Sequence, residues 1–166
     1  IDVLQAKKII VENKSLYEYY EACKLNYLSN IGVTDTLSLV IAPTTGCNFA
    51  CPYCFEGEKK AIVITDEVID CIIHFINGYT SVKKLNLTWY GGEPLMAFNK
   101  IKQIIHKIHT ECRVEICSQS IITNAYLLSD NVIRDMMELG FTQIQISFDG
   151  DEDNHNKTRF LKGSKG

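Results

Sequence analysis

The sequence predicts an α/β protein in which parallel β-strands alternate with α-helices. Three observations carry this prediction. Short, continuous apolar runs recur along the chain and have the length of buried strands. Amphipathic segments with helical spacing lie between them, and Ser, Thr or Gly residues mark their ends. Strict alternation implies right-handed crossovers and a parallel sheet, which is either an open doubly wound sheet or part of a barrel.

The first predicted element is a helix that precedes the alternating region. Apolar and aromatic residues recur at helical spacing from Leu16 to Tyr27, and a break near Gly32 ends the segment. We interpret it as a packing helix and assign residues 1–35 to a helical lead-in. The first strand then runs from Leu37 to Ala42 and is closed by Pro43. Its continuous apolar sequence is typical of a strand buried on both faces of a parallel sheet.

Three helices and three further strands follow the first strand. Thr65 and Ser129 are suitable N-caps, and Gly78 and Gly140 are suitable helix ends. In chain order, the predicted elements are a helix from Thr65 to Gly78, a strand from Leu85 to Tyr90, a helix from Phe98 to Ile108, a strand from Val114 to Thr123, a helix from Ser129 to Gly140 and a strand from Gln143 to Phe148. The fourth strand would leave an exposed edge, so we expect this chain alone to pair with another copy or to aggregate.

Composition and charge exclude several classes of protein. The 166 residues are 46% hydrophobic and 22% charged, which suffices for one domain with a core. The net charge of -3 gives no electrostatic reason to bind nucleic acid. No apolar run approaches the roughly 18 residues that span a membrane, and the start of the chain lacks the pattern of a signal peptide. We therefore expect a soluble, cytoplasmic protein with neither nucleic acid nor membrane as a partner. The first residue, Ile1, and the loop-like end at Gly166 suggest a fragment of a longer protein.

Three of the seven cysteines, Cys47, Cys51 and Cys54, lie within eight residues after the first strand. Three thiolates on a short loop can ligate three irons of a [4Fe-4S] cluster and leave the fourth iron open to a chelating ligand. A structural zinc site prefers four ligands, usually in two separated pairs. The other cysteines are scattered along the chain, so the cluster is the preferred interpretation and a non-enzymatic zinc-binding module is the alternative.

Polar and glycine residues follow the other three strands, at the edge of the sheet where ligands of parallel sheets bind. Gly91 and Gly92 permit close backbone approach, and Glu93 offers a carboxylate to an ammonium group. The remaining candidates are Asn124 for ribose hydroxyls, and Ser147 with Arg159 for a carboxylate. Asp149-Gly150 is suited to a tight turn, and we assign it that role.

These motifs together resemble radical S-adenosylmethionine (SAM) enzymes. The resemblance rests on Cys47-x3-Cys51-x2-Cys54, Gly91-Gly92-Glu93-Pro94, Thr123-Asn124 and Ser147-Phe148-Asp149-Gly150, in this order, and covers about Thr36 to Gly166. It is strongest to the SPASM-type branch, which includes anaerobic sulfatase-maturating enzymes and maturases of ribosomally made peptides. The stretch from Ser147 to Arg159, with His155-Asn156, is typical of that branch.

The resemblance implies a fold, two cofactors and a set of site residues. Residues 36–166 would be the first part of a partial (β/α)6 TIM-like barrel whose remainder lies beyond Gly166. The implied site consists of Cys47, Cys51 and Cys54 on the [4Fe-4S] cluster, Gly91, Gly92 and Glu93 on the amino group of SAM, Ser147 and Arg159 on its carboxylate, Thr123 and Asn124 near its ribose, and Tyr53 near its adenine. Ala125 departs from the family, which usually has Gly there, and it would be strained if that position needs a positive φ.

The implied activity is reductive cleavage of SAM to a 5'-deoxyadenosyl radical, which removes a hydrogen atom from the substrate. We expect a radical SAM oxidoreductase that modifies a peptide or protein, as in ribosomal peptide maturation. Sulfatase maturation, in which Cys or Ser becomes formylglycine, is the alternative. A one-electron reductant such as flavodoxin or ferredoxin is the implied second partner. The sequence identifies no catalytic acid or base.

Overall fold

The computed structural model describes residues 16–31, 35–57 and 60–164. It contains two compact units, residues 1–35 and residues 36–166, and each is described by itself. In the first unit, helix α1 spans Leu16–Ile31 and so extends further than its apolar pattern indicates. None of the described helices is long and apolar enough to cross a membrane.

The described residues of the second unit contain a four-stranded parallel sheet. Its strands are β1 (Thr36–Ile41), β2 (Lys84–Trp89), β3 (Glu115–Thr123) and β4 (Gln143–Ile146). Their order in the sheet is β1-β2-β3-β4, and every neighbouring pair is parallel. A doubly wound sheet reverses its strand order at a switch point, whereas a barrel adds each strand beside the previous one. The sequential order therefore resolves the two alternatives in favour of a barrel segment and confirms the predicted fold class.

Among the residues that the structure describes, four helices accompany the strands of this unit. They are α2 (Asp66–Gly78), α3 (Phe98–Glu111), α4 (Asp130–Glu138) and α5 (Glu152–Thr158), and a short 3₁₀ turn at Pro94–Ala97 precedes α3. The predicted N-caps are confirmed, because Thr65 accepts a hydrogen bond from the backbone of Val68 and Ser129 accepts one from Val132. Sequence analysis missed α5, which begins after its own N-cap, Asp151.

The hydrophobic core lies on one face of the sheet, under α2 and α3. Leu85, Leu87 and Trp89 of β2 are buried against Ile101 and Ile105 of α3. Burying a side chain of this size stabilises the fold by about 1.5–3 kcal/mol. The core therefore fixes β2 and β3 firmly, and it positions the loops that leave their carboxyl ends.

The opposite face of the sheet is polar. The hydroxyl groups of Thr88 and Ser120 lie 3.0 Å apart, and Ser118 Oγ donates to Asn86 Oδ1 at 2.8 Å.

The prediction that the first strand is buried on both faces is wrong, since Val40 of β1 is 71% exposed on the polar side of the sheet. Leu37, Leu39 and Ile41 alternate with it, and those residues pack against the core.

Strand β4 is the last strand of the described sheet. Its sequence, Gln143–Ile146, is mostly exposed, and its outer edge pairs with no strand among the described residues. Such an edge offers unpaired backbone groups to another chain. The expected self-association at this edge remains a prediction.

Candidate cofactor site

The start of the loop that carries the three cysteines is held by backbone contacts with the segment at Ile62 and Val63. Thr45 N donates to Ile62 O at 2.9 Å, and Thr44 Oγ1 donates to the same carbonyl at 2.9 Å. Thr44 also forms an isolated antiparallel bridge with Val63. These contacts fix the loop directly after β1, before it reaches Cys47.

A second set of backbone contacts holds the middle of the same loop. Ala50 N donates to Phe160 O at 2.8 Å, and Lys162 N donates to Asn48 O at 2.8 Å. Phe49 forms an antiparallel bridge with Leu161 between those two bonds. The chain that follows α5 thus returns to the cysteine loop, a long-range pairing for which the sequence carries no local signal.

The two glycines after β2 let that turn pack against the cysteine loop. A Cβ atom on Gly92 would lie 2.2 Å from the carbonyl oxygen of Gly46, and one on Gly91 would lie 2.5 Å from that of Thr44. Gly91 also has a φ of +127°, which side chains disfavour. The backbone of Glu93 then donates to Gly46 O at 2.8 Å. In this structure, therefore, the glycines are required by contact between two loops.

The carboxylate of Glu93 is turned into the protein and is 1% exposed. Oε1 accepts hydrogen bonds from Thr123 Oγ1 at 2.7 Å and from Leu95 N at 3.0 Å, and Oε2 accepts one from Asn124 N at 2.8 Å. Its side chain joins the end of β2 to the end of β3 beneath the pocket, and Glu93 does not line the pocket itself. The predicted contact of Glu93 with an ammonium group remains a prediction.

Asn124 connects the end of β3 to the cysteine loop. Its Nδ2 donates to Asn48 Oδ1 at 2.8 Å and approaches Cys47 Sγ at 3.8 Å, while its Oδ1 accepts from Tyr126 N at 3.0 Å. The next residue, Ala125, has a φ of +62°. The position that usually holds Gly in the family therefore does need a positive φ, and Ala adopts it here at a cost.

A carboxylate cluster follows β4. Asp149 accepts hydrogen bonds from Tyr53 Oη, from Thr158 Oγ1 at 2.8 Å and from Arg159 Nε at 2.8 Å. The guanidinium carbon of Arg159 lies 5.7 Å from the centre of the Tyr53 ring. Gly150 has the φ of +106° that the predicted turn requires. Assigning Asp149 to that turn alone is nevertheless incomplete, because three side chains converge on its carboxylate.

The contacts around the Asp149 carboxylate shift the pKa values of Asp149 and Tyr53. The hydrogen bonds from Tyr53, Arg159 and Thr158 hold the pKa of Asp149 well below its usual range, although partial burial opposes this shift. Desolvation of its hydroxyl, followed by the hydrogen bond to Asp149, raises the pKa of Tyr53 to about 12. At neutral pH the cluster is therefore an ionised carboxylate held by a neutral phenol, a hydroxyl and a guanidinium.

A pocket of about 820 Å³ opens between the cysteine loop and the strand ends. It has a size typical of small-molecule sites. The predicted site residues that line it are Cys47, Cys51, Tyr53, Cys54, Gly91, Gly92, Thr123, Asn124, Ser147 and Arg159. Sequence analysis missed Thr45, Tyr90 and Lys162, which also line it. Lys162 lies in a run of charged residues that is typical of a solvated loop, so the sequence alone does not indicate that it lines the pocket. The backbone hydrogen bond from Lys162 N to Asn48 O places it there.

The three thiols differ in their environments. Cys47 and Cys51 are partly buried and Cys54 is exposed, and burial raises the pKa of the first two thiols. Within the described ranges, no three His, Cys, Asp or Glu side chains lie close enough together to hold a single metal ion. A tetrahedral zinc needs ligands that converge on one point, whereas a cubane binds each thiolate through a different iron.

The residues of the pocket fit an iron-sulfur cluster with a chelating ligand. Three soft thiol donors face one cavity that also contains neutral hydroxyl and amide groups and a guanidinium. Beside Cys47, the buried Nδ2 of Asn48 has no hydrogen-bond partner among the described residues. An unpaired buried donor is costly, and this one lies next to a candidate cluster ligand, although Asn48 itself does not line the pocket.

Comparison with known proteins agrees with this chemistry. The sequence profile of the radical SAM superfamily matches residues 41–164. The chain is 30% identical over 131 residues to a serine-type anaerobic sulfatase-maturating enzyme of Bacteroides thetaiotaomicron, a match that covers 72% of this chain and 30% of that protein. It is 34% identical over 116 residues to a GTP 3',8-cyclase of Clostridium perfringens, which covers 67% of this chain and 34% of the cyclase.

A solved structure shares the fold as well. The structure described as native anSMEcpe with bound AdoMet and Kp18Cys peptide superposes with a TM-score of 0.66 and 26% sequence identity, and it covers 76% of this chain and 35% of that one. The chain spans about a third of the length of all three of these proteins. The chain therefore belongs to the radical SAM superfamily, and its cofactors are S-adenosylmethionine and a [4Fe-4S] cluster.

Proposed function

We propose that residues 36–166 form the first part of a SPASM-type radical SAM barrel and that Cys47, Cys51 and Cys54 ligate its cluster. The observation that carries this proposal is that all three thiols line one pocket, together with the residues that end β3 and β4. Three thiolates satisfy three irons and leave one iron for SAM. The lead-in, residues 1–35, is proposed as a separate N-terminal element.

The other pocket residues would hold SAM. Arg159 and Ser147 provide a cation and a hydroxyl for its carboxylate, and Asn124 provides an amide near its ribose. Gly91 and Gly92 provide backbone that can approach its amino group, with Glu93 behind them and Thr123 beside Asn124. The aromatic ring of Tyr53 lies at the same wall and provides a surface for adenine.

When bound, the reduced cluster and SAM supply one-electron cleavage of a carbon-sulfur bond and abstraction of a hydrogen atom from the substrate. The protein supplies placement and exclusion of water. Glu93 and Asn124 fix the cysteine loop against β3, and the contact between Gly92 and Gly46 closes the space beneath it. These contacts hold the pocket in one geometry, which a reactive cofactor requires.

A peptide or protein segment is the proposed substrate. Support comes from the anSMEcpe structure, which is described with a bound peptide, and from the sulfatase-maturating relative. Maturation of a ribosomal peptide is our first proposal, and oxidation of a sulfatase Cys or Ser to formylglycine is the second, which the named relative favours. A one-electron donor such as flavodoxin or ferredoxin would reduce the cluster. The proposed location is the cytoplasm, where the seven free cysteines stay reduced.

Product analysis tests the proposed function. The longer protein that we propose contains this chain is used, because residues 36–166 are proposed as only the first part of the barrel. It is reconstituted anaerobically with iron and sulfide, reduced with dithionite and given SAM, and 5'-deoxyadenosine is quantified. We expect the product from the wild type and from Cys71→Ala, a thiol on α2 outside the pocket, and none from Cys51→Ala. Product from Cys51→Ala at the wild-type rate, or none from the wild type, would contradict the proposal.

A second assay addresses the substrate class. A synthetic peptide with a central cysteine and GTP are added separately to the reduced enzyme. We expect the peptide to increase 5'-deoxyadenosine formation and to change in mass, while GTP does neither. Consumption of GTP would reject the peptide proposal and favour a nucleotide substrate, as in the named cyclase.

A further inference from the structure

We propose that Asp149 is a positioning residue that holds Tyr53 and Arg159 in the orientations that SAM binding needs. The inference rests on the proposed function, because it assigns those two residues to the cofactor. Asp149 itself does not line the pocket. It therefore acts through the two side chains that do.

The geometry of the carboxylate supports this role. Oδ2 accepts from Tyr53 Oη and from Thr158 Oγ1, and Oδ1 accepts from Arg159 Nε. Both oxygens are thus used, and the donors come from two parts of the chain that lie far apart in sequence. The side chains of Asp149 and Arg159 are only 21% and 17% exposed, so water competes weakly for this pair.

The ordinary role of an aspartate near a short helix is filled by a different residue. Asp151 is the N-cap of α5, and its side chain accepts a hydrogen bond from Asn154 N at 3.0 Å. The turn itself is provided by Gly150, with its positive φ. The helix start and the turn therefore do not need the carboxylate of Asp149. Its donors are Tyr53 of the cysteine loop and, at the C-terminal end of α5, Thr158 and Arg159.

The arrangement leaves the binding groups of Arg159 available. Asp149 takes only Nε, and the terminal nitrogens of Arg159 donate no hydrogen bond to any residue that the structure describes. The guanidinium lies against the ring of Tyr53, which the same carboxylate holds. Asp149 therefore couples an anion-binding group to an aromatic wall of the pocket. The hydrogen bond to Asp149 fixes the rotamer of Arg159 before the ligand arrives. Binding of a carboxylate to this guanidinium therefore costs less side-chain entropy.

The test compares Asp149→Asn with the neighbouring control Asp151→Asn. Each holoprotein is reconstituted with its cluster, and the dissociation constant of SAM is measured by equilibrium binding, with iron per chain as a second measurement. We expect Asp149→Asn to weaken SAM binding by about tenfold, because a charge-assisted contact is replaced by a weaker one, and to leave the iron content unchanged. Asp151→Asn should bind SAM like the wild type.

Two further measurements distinguish a loss of side-chain positioning from a general loss of folding. Tyr53→Phe should weaken SAM binding by a smaller factor, and its effect should not add to that of Asp149→Asn, because both remove the same contact. In the cluster-free protein, Asp149→Asn should speed chymotryptic cleavage after Tyr53, since that side chain is released from its anchor. Cleavage after the exposed Phe75 of α2 serves as the internal reference.

Each outcome is informative. SAM binding by Asp149→Asn that equals the wild type, or an equal loss in Asp149→Asn and Asp151→Asn, would overturn the positioning role while leaving the proposed function intact. A wild type that holds iron but binds no SAM would overturn both. If Asp149→Asn does not fold, Thr158→Val, which removes one of the three donors, should weaken SAM binding about two- to threefold, and an unchanged affinity would overturn the inference.

Discussion

Thr123 Oγ1 donates a 2.7 Å hydrogen bond to the buried carboxylate of Glu93, and this contact joins the ends of β2 and β3. The same carboxylate also accepts the backbone N–H of Asn124, whose side chain reaches the cysteine loop. One acidic side chain therefore ties three of the loops around the pocket to one another. Its removal should affect the fold as well as the cofactor.

We expect Glu93→Gln to lower the free energy of unfolding by about 2 kcal/mol, because an amide replaces one of two acceptor oxygens in a buried site. Urea unfolding of the cluster-free protein measures the change. Glu138→Gln, at an exposed position of α4, is the control and should cost less than about 0.5 kcal/mol. Equal costs for the two variants would show that the hydrogen bonds of Glu93 do not support the fold.

Ala125→Gly should stabilise the protein by about 1 kcal/mol, because glycine adopts the observed φ of +62° without strain. The reverse exchange, Gly140→Ala, is the matched control: Gly140 has a φ of +80°, and a Cβ atom there would meet no atom closer than 3.8 Å. That variant should lose about 1 kcal/mol from conformation alone. Destabilisation by Ala125→Gly in urea unfolding would contradict this account.

Gly92→Ala should disrupt the contact between the glycine turn and the cysteine loop. The added methyl group would lie 2.2 Å from the carbonyl oxygen of Gly46, and both partners are backbone that cannot rotate away. We expect most of the bound iron to be lost in anaerobic reconstitution. Gly78→Ala, at the end of α2 with open space around it, should retain the wild-type iron content. Full iron loading of Gly92→Ala would show that the loops can separate without loss of the site.

The stabilising effect of Asp149 should depend on pH. Its hydrogen bonds hold its pKa in the folded protein below the value of about 3.9 expected when unfolded. The ionised group therefore stabilises the fold above about pH 4, and this contribution is lost as the pH falls through the folded-state pKa. Asp149→Asn should cost more stability at pH 7 than at pH 3 in urea unfolding. The exposed Asp153→Asn corrects for general effects of pH, and a corrected cost that grows on acidification would contradict the prediction.

The strands and the pocket could be predicted because their signals are local. The three cysteines lie on one short loop, and the carboxyl ends of parallel strands meet at one edge of the sheet. Helix α5 was missed because its sequence, Glu152–Thr158, carries no apolar stripe and buries no side chain. The burial of β1 was mispredicted, because a continuous apolar run does not distinguish one buried face from two. Here Val40 faces the polar side of the sheet.

The contacts that shape the site are less visible in sequence. The pairing of Phe49 with Leu161 joins residues far apart in the chain through backbone atoms, which every residue type has. The hydrogen bonds of Glu93 likewise depend on the direction of a side chain that could equally have faced the pocket. Most of the site residues predicted from the sequence therefore line the cavity, but sequence analysis missed Lys162 and placed Glu93 at the ligand, whereas in the structure Glu93 lies outside the lining.

Iron analysis of the anaerobically reconstituted chain decides whether Cys47, Cys51 and Cys54 together hold an iron-sulfur cluster. With Cys47, Cys51 and Cys54 intact, we expect about four irons and four sulfides per chain and a broad absorption band near ~400 nm, and replacing any one of the three by Ala should remove most of both. Cys71→Ala should match the wild type. A colourless protein with one bound zinc and no iron, or a cluster that survives Cys51→Ala and depends on Cys71, would contradict the account.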